Sequence, residues 1–195
     1  MDPVVVGISG ASGSILAEQA ISSLLSREVP VIATCSSAAR MVWQEEMDEP
    51  FASALGRWHE SPNFSYHPIG DLKATIASGT TRIAGMIVIP CSTGSLAGIA
   101  HGLSTNLLLR AADVCLKEQR KLVLVCRETP LSPIHLENML ALSRLGVTIL
   151  PPEPAFYLHP QSVDDVVKYI VAKSIDALGL PGFLTQDLRY TRSSE

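Results

Sequence analysis

Five runs of consecutive apolar residues, rich in β-branched side chains, recur along the chain at positions 4–8, 31–33, 86–89, 122–125 and 147–150. None alternates with polar residues, which is the pattern of strands covered on both faces in a parallel sheet. Stretches of helical length lie between them, at 14–27, 37–47, 103–117 and 133–145. Strand-length runs alternating with helix-length stretches predict a doubly wound α/β domain with a mostly parallel sheet.

Local punctuation agrees with that pattern. Ser132 precedes Pro133 as an N-cap before a first-turn proline, and Gly146 follows the same helix as a stop signal. Ser162, with Asp164 and Asp165 behind it, starts another helix running to about Leu178, its carboxylates favouring the positive end of the helix. The Pro151-Pro152-Glu153-Pro154 cluster predicts a rigid extended loop. Residues 50–78 show aromatics and two histidines but no clear period. With no repeat or linker, the expectation is a single Rossmann- or flavodoxin-like domain over 1–195, with about 180–195 forming a C-terminal tail or subunit-contact segment.

The chain has 195 residues, 47% hydrophobic and 17% charged, enough apolar material for a large core. Its longest apolar runs are too short to cross a bilayer, so the surplus predicts a subunit contact and a homo-oligomer. A net charge of −4 argues against a nucleic-acid binder. The start of the chain lacks a basic segment, a long apolar stretch and a cleavage site, which predicts a cytoplasmic protein. Cys35, Cys91, Cys115 and Cys126 are far apart and embedded in apolar sequence, as buried free thiols would be. The histidines show no ligand spacing, and no metal site is predicted.

In an open parallel sheet, ligands bind at the carboxyl ends of the strands. The first run ends in Ser9-Gly10-Ala11-Ser12-Gly13, a turn whose small residues allow close approach and whose following helix offers N–H groups to a phosphate. It lacks the GxGxxG spacing, and no acidic residue closes the second strand, so a mononucleotide phosphate fits better than a dinucleotide. The second run ends in Cys35-Ser36-Ser37, and the third in Pro90-Cys91-Ser92-Thr93-Gly94-Ser95. Three hydroxyl-rich turns on one edge suit a planar heterocycle with a sugar phosphate. Cys91 invites a nucleophile reading, against which stand its apolar flanks and the lack of a nearby histidine. After the next run, Arg127 can fork onto phosphate oxygens and Glu128 can exchange a proton. Arg110, Lys117, Arg120 and Lys121, on or just after a helix, read by themselves as a solvated face.

Together, GASG after the first strand, Pro-Cys-Ser-Thr-Gly, Arg110-Ala111-Ala112-Asp113, Leu-Val-Leu-Val-x-Arg-Glu-Thr-Pro, His135-Leu136-Glu137-Asn138-Met139 and Phe156-Tyr157 with Pro160-Gln161-Ser162 resemble the UbiX flavin prenyltransferase family over nearly the whole chain. Cys126 stands where many members carry proline. The resemblance implies an enzyme that, without a metal, joins the dimethylallyl group of dimethylallyl monophosphate to N5 and C6 of reduced FMN, making prenylated FMN for UbiD-type decarboxylases. It also implies that Gly10, Ala11, Ser12, Ser36, Ser92, Thr93, Gly94, Ser95 and Arg127 hold FMN. Lys117, Glu128, Tyr157 and Lys173 would be catalytic and meet the allylic phosphate, with Arg110 reaching a neighbouring subunit's site in a dodecamer.

Two rival readings remain at this stage. One is an FMN carrier or chaperone serving a partner decarboxylase, which would need no second phosphate site. The other is a relative of flavin-dependent cysteine decarboxylases, whose turn resembles PASANT where this chain reads PCSTGS.

Overall fold

A computed structural model describes residues 1–190. Six strands form one sheet: β1 (Val4–Ile8), β2 (Val31–Cys35), β3 (Phe64–Tyr66), β4 (Gly85–Cys91), β5 (Leu122–Cys126) and β6 (Thr148–Ile149). Their spatial order is β3-β2-β1-β4-β5-β6, and every pairing is parallel. All carboxyl ends therefore lie on one edge. The order reverses beside β1, which pairs with both β2 and β4, leaving the crevice that such sheets use for ligands.

Each residue of β1, β4 and β5 is buried. One core lies against α1 (Ser14–Leu25) and α7 (Val163–Ala177), and contains Val4, Val6, Ile8, Leu24, Val171 and Ile175. The other lies beneath α4 (Thr93–Ala100), α5 (Leu107–Lys117) and α6 (Pro133–Arg144), and contains Val5, Met86, Leu96, Leu108 and Leu142. Alternate residues of each strand thus feed opposite layers, as continuous apolar runs require.

Several boundaries differ from the sequence reading. The stretch at 103–117 becomes helix only from Leu107, where Asn106 caps it by accepting from the Leu109 N–H. The residues before it belong to the connection from α4, which the sequence reading took as a turn. Two glycines in eight residues hid that helix, since glycine costs about 1 kcal/mol in a helix interior. Gly98 is needed there, because a Cβ would sit 3.0 Å from Leu109. β4 runs through Pro90 to Cys91, with an irregular register after Val88 that accommodates a residue lacking an N–H.

Residues 50–78 contain α3 (Phe51–His59) and the edge strand β3. Phe51, Ala54, Leu55 and Trp58 do follow helical spacing, a signal diluted by the polar residues between them. Edge-to-face contacts among Trp43, Phe51 and Trp58 then fasten α3 to α2 (Ser37–Glu46). Ser132 and Ser162 form capping boxes at α6 and α7, where a helix start was expected in each case. Of the expected C-terminal segment, 191–195 lies outside the described residues.

Candidate active site

The three hydroxyl-rich turns and the Arg127 turn meet at the carboxyl edge, held by a small set of hydrogen bonds. Buried Ser9 donates through Oγ to the Pro90 carbonyl at 2.9 Å and accepts the Ser92 N–H at 2.7 Å. Arg127 donates its backbone N–H to the Cys91 carbonyl and its Nε to the Ser12 carbonyl at 3.3 Å. The turns after β1, β4 and β5 are thereby joined into one cradle. Sequence reading quoted Ser9 within its turn but assigned it no role; its partners lie more than 80 residues away.

Two helices open on this edge with serine caps. Ser36 accepts from Ala39 at the start of α2, and Ser92 accepts from Ser95 at the start of α4. Each helix leaves further first-turn N–H groups with no intrahelical partner, available to an anion. A Cβ at Gly94 would meet nothing within 4 Å, so the first turn of α4 faces open space. Gly10 is different: a Cβ there would lie 2.5 Å from the Ala38 side chain. The start of α2 roofs the first turn closely, and only glycine fits beneath it.

The start of α1 is already taken. Glu46, the last residue of α2, accepts from the backbone N–H of Gly13 and of Ser14 at 2.9 and 2.8 Å. Burial pushes the Glu46 carboxyl up, but hydrogen bonds from Ser12, Gly13 and Ser14 together outweigh burial and hold it below the usual value. A phosphate at this helix end would meet a carboxylate. The sequence reading looked to α1 for the phosphate; Glu46 holds that helix start here, and the starts of α2 and α4 and the Arg127 guanidinium are the other donors on this edge. Sequence offered no sign of Glu46, because α2 has to lie across the carboxyl edge before its far end can reach Gly13.

Glu128 is exposed, its carboxylate accepting only its neighbour's Thr129 N–H at 3.0 Å among the described residues. Cys91 is fully buried beside Cys126, its partner in register across β4 and β5. That neighbouring thiol and burial hold the Cys91 thiol well above its usual range, which disfavours the thiolate a nucleophile needs.

The other site residues stand in three separate places. Tyr157, on a 3-10 turn at Phe156–Leu158, and Lys173, in the middle of α7, line one cavity of about 310 Å³ with Leu150, Pro151 and Tyr169. Arg110 lies in the first turn of α5, bound to Asp113 and to the Ala77 carbonyl. Lys117 ends α5 and is ion-paired with Glu118. Since α5 leads directly into β5, Lys117 lies at the amino edge of the sheet, opposite Glu128. One chain therefore assembles the cradle and the Tyr157–Lys173 cavity but does not bring Lys117 to Glu128.

The residues of the cradle fit a flavin mononucleotide: small side chains, open backbone, hydroxyls and one guanidinium. Comparison with known proteins points the same way. A model of the flavoprotein family matches residues 1–175. The flavin prenyltransferase UbiX of Alkalihalophilus pseudofirmus is 46% identical over 188 residues, covering 91% of each chain. A dodecameric FMN-dependent UbiX-like decarboxylase from Escherichia coli O157:H7 superposes with a TM-score of 0.86 at 46% identity, covering 91% of this chain and 95% of that one. AnUbiX (PadA1), crystallised with FMN and dimethylallyl pyrophosphate, gives a TM-score of 0.90 at 36% identity, covering 100% of this chain and 99% of its own. The chain belongs to the flavoprotein family and, within it, to the flavin prenyltransferases of the UbiX type.

Proposed function

We propose that the protein transfers the dimethylallyl group of dimethylallyl monophosphate to N5 and C6 of reduced FMN, and that the prenylated flavin then serves a UbiD-type decarboxylase. The observation that carries this reading is a second cavity, with the Tyr157 phenol and the Lys173 ammonium on its wall, in addition to the cradle. An FMN carrier needs only the cradle. The PCSTGS turn likewise separates the chain from the cysteine decarboxylase alternative.

In this reading Gly10, Ala11, Ser12, Ser36, Ser92, Thr93, Gly94 and Ser95 hold FMN, and Arg127 takes its phosphate. Reduced FMN supplies N5 and C6 as the atoms that accept the prenyl carbons. Breaking the allylic C–O bond leaves negative charge on the departing phosphate. Lys117, Lys173 and the Tyr157 hydroxyl, with Arg110, stabilise that charge as fixed cations and a fixed donor, without a divalent metal. Bonding at N5 and C6 would release one proton from each, the former alkene CH of the prenyl group would take up one of the two, and the surplus proton would go to Glu128 or to the released phosphate.

Because Lys117 and Glu128 occupy opposite edges of one chain, a site using both is completed by a neighbouring subunit. Exposed Ile134, Leu136, Leu140 and Leu145, on and just after α6, offer apolar surface for such a contact. We propose the dodecamer found for the Escherichia coli relative, with Arg110 also reaching across. Four unpaired buried cysteines suit a reducing, cytoplasmic compartment.

The test is anaerobic incubation with reduced FMN and dimethylallyl monophosphate, without divalent metal, followed by mass spectrometry of the extracted flavin. A flavin heavier by one five-carbon unit supports the transferase. Recovery of unmodified FMN alone, with binding verified, refutes the metal-free monophosphate reaction.

A further inference from the structure

Lys117 ends α5 on a long, half-exposed side chain, and such a chain loses rotamer freedom when its charge is held in one place. The surface that limits its movement is backbone. Between a 3-10 turn at Thr75–Ala77 and β4, the chain crosses the end of α5 at Gly79. A Cβ added there would lie 2.6 Å from the Lys117 Nζ and would also overlap the Glu118 carboxylate. The ammonium and its partner therefore occupy space that any other residue at position 79 would fill.

That loop is fastened to the body along its length. Ile76 is buried in the core beneath α4, α5 and α6. Arg110 donates Nε to the Ala77 carbonyl at 3.0 Å, and Arg120 donates a guanidinium N–H to the Gly79 carbonyl at 2.5 Å. Thr81 donates its hydroxyl to the Thr75 carbonyl at 2.7 Å, closing the loop on itself. Two guanidiniums, one before Lys117 in the chain and one after it, thus pin the backbone against which the lysine rests.

Glycine is not required at 79 by conformation. Gly79 lies outside the positive-φ region that favours glycine, so alanine suits its backbone. What glycine provides there is the close approach. The atoms that a Cβ would meet are the far ends of two flexible side chains, not backbone or core. Alanine is accommodated by swinging Lys117 and Glu118 away, which costs the fold little and moves the charge.

We infer that Gly79 is a positioning residue for the transfer reaction: by leaving out a side chain it lets Lys117 rest against a pinned loop, from which the ammonium is presented to the phosphate departing at the neighbouring subunit's site. The inference rests on the functional reading above and adds a residue to it. Gly79 acts through Lys117 and does not itself meet the substrate.

A double-mutant cycle tests this, with Gly79→Ala and Lys117→Met made singly and together and single-turnover prenylation followed by flavin mass spectrometry. Misplacing a reacting group by about 1 Å can cost on the order of 10²-fold, so Gly79→Ala lowers the transfer rate by about 10- to 100-fold, with FMN affinity, oligomer size and melting temperature unchanged. In the Lys117→Met background the same change produces no further loss. A Gly79→Ala variant as fast as wild type, one losing the same factor in both backgrounds, or one that melts earlier or falls apart overturns the inference while leaving the transferase reading intact. A Lys117→Met variant at the wild-type rate overturns it together with the role given to Lys117. A wild type that makes no heavier flavin overturns the inference and the transferase reading alike.

Discussion

Two acid–base neighbours, Arg127 with Glu128 and Lys117 with Glu118, look alike in sequence and behave differently in the fold. At the carboxyl edge, Arg127 is half-buried and turned onto the Ser12 carbonyl, leaving Glu128 exposed and unneutralised by it. At the opposite edge, Lys117 and Glu118 neutralise each other in solvent, and that contact holds the Glu118 carboxyl below its usual value. The first pair is ordered by backbone that the chain supplies. The second must exchange Glu118 for another anion before Lys117 can serve a reaction. On the proposed function, the cation at the strand end is built into the site by its own fold, whereas the cation at the helix end would be recruited into one by assembly.

The sharpest way to break this comparison is Lys117→Met. If the lysine stabilises the departing phosphate from a neighbour's site, turnover falls by about 10² to 10³, while FMN titration gives an unchanged Kd. A Kd that rises in parallel would place Lys117 with the cradle instead. Arg127→Met should do the reverse, raising the FMN Kd by about 10- to 100-fold, as expected for hydrogen bonds to a charged group; fluorescence titration reads this directly.

Ser9→Ala probes the frame beneath the cradle. It leaves the Ser92 N–H without its acceptor, while the Pro90 carbonyl keeps the backbone N–H of residue 9, and unfolding in urea should show a loss of about 1–3 kcal/mol. Glu46→Gln has the smallest effect, and one that depends on pH. Glu46 titrates below its usual value of 4.5 in the folded chain, so its carboxylate adds stability above that value and the gain disappears as pH falls through the lowered folded value. Thermal melts should show the variant less stable than wild type at pH 7 and the two converging on acidification.

Much of this architecture was legible because buried parallel strands announce themselves as unbroken apolar runs, and serine caps announce the helices that follow. What escaped was set by contacts distant in sequence. α4 was hidden by Gly94 and Gly98, β3 by its place at the sheet's edge beside an aromatic cluster, and Glu46 by the path of α2 across the carboxyl edge. The cradle residues were legible as small-residue turns, and the structure gathers them. Lys117, Arg110, Tyr157 and Lys173 were recognisable only through resemblance, since a lysine on a helix has no local signature of its task.

The claim that two edges of the sheet from different subunits form one active site is tested most directly by complementation. Lys117→Met and Glu128→Gln, in the case that each alone is strongly impaired, are co-expressed so that mixed oligomers form, and prenylated FMN is measured. Random assembly gives about a quarter of the sites both intact residues, so the account predicts recovery of a comparable fraction of wild-type activity. Mixed oligomers as inactive as their parents would contradict it and return Lys117 to the solvated face of α5.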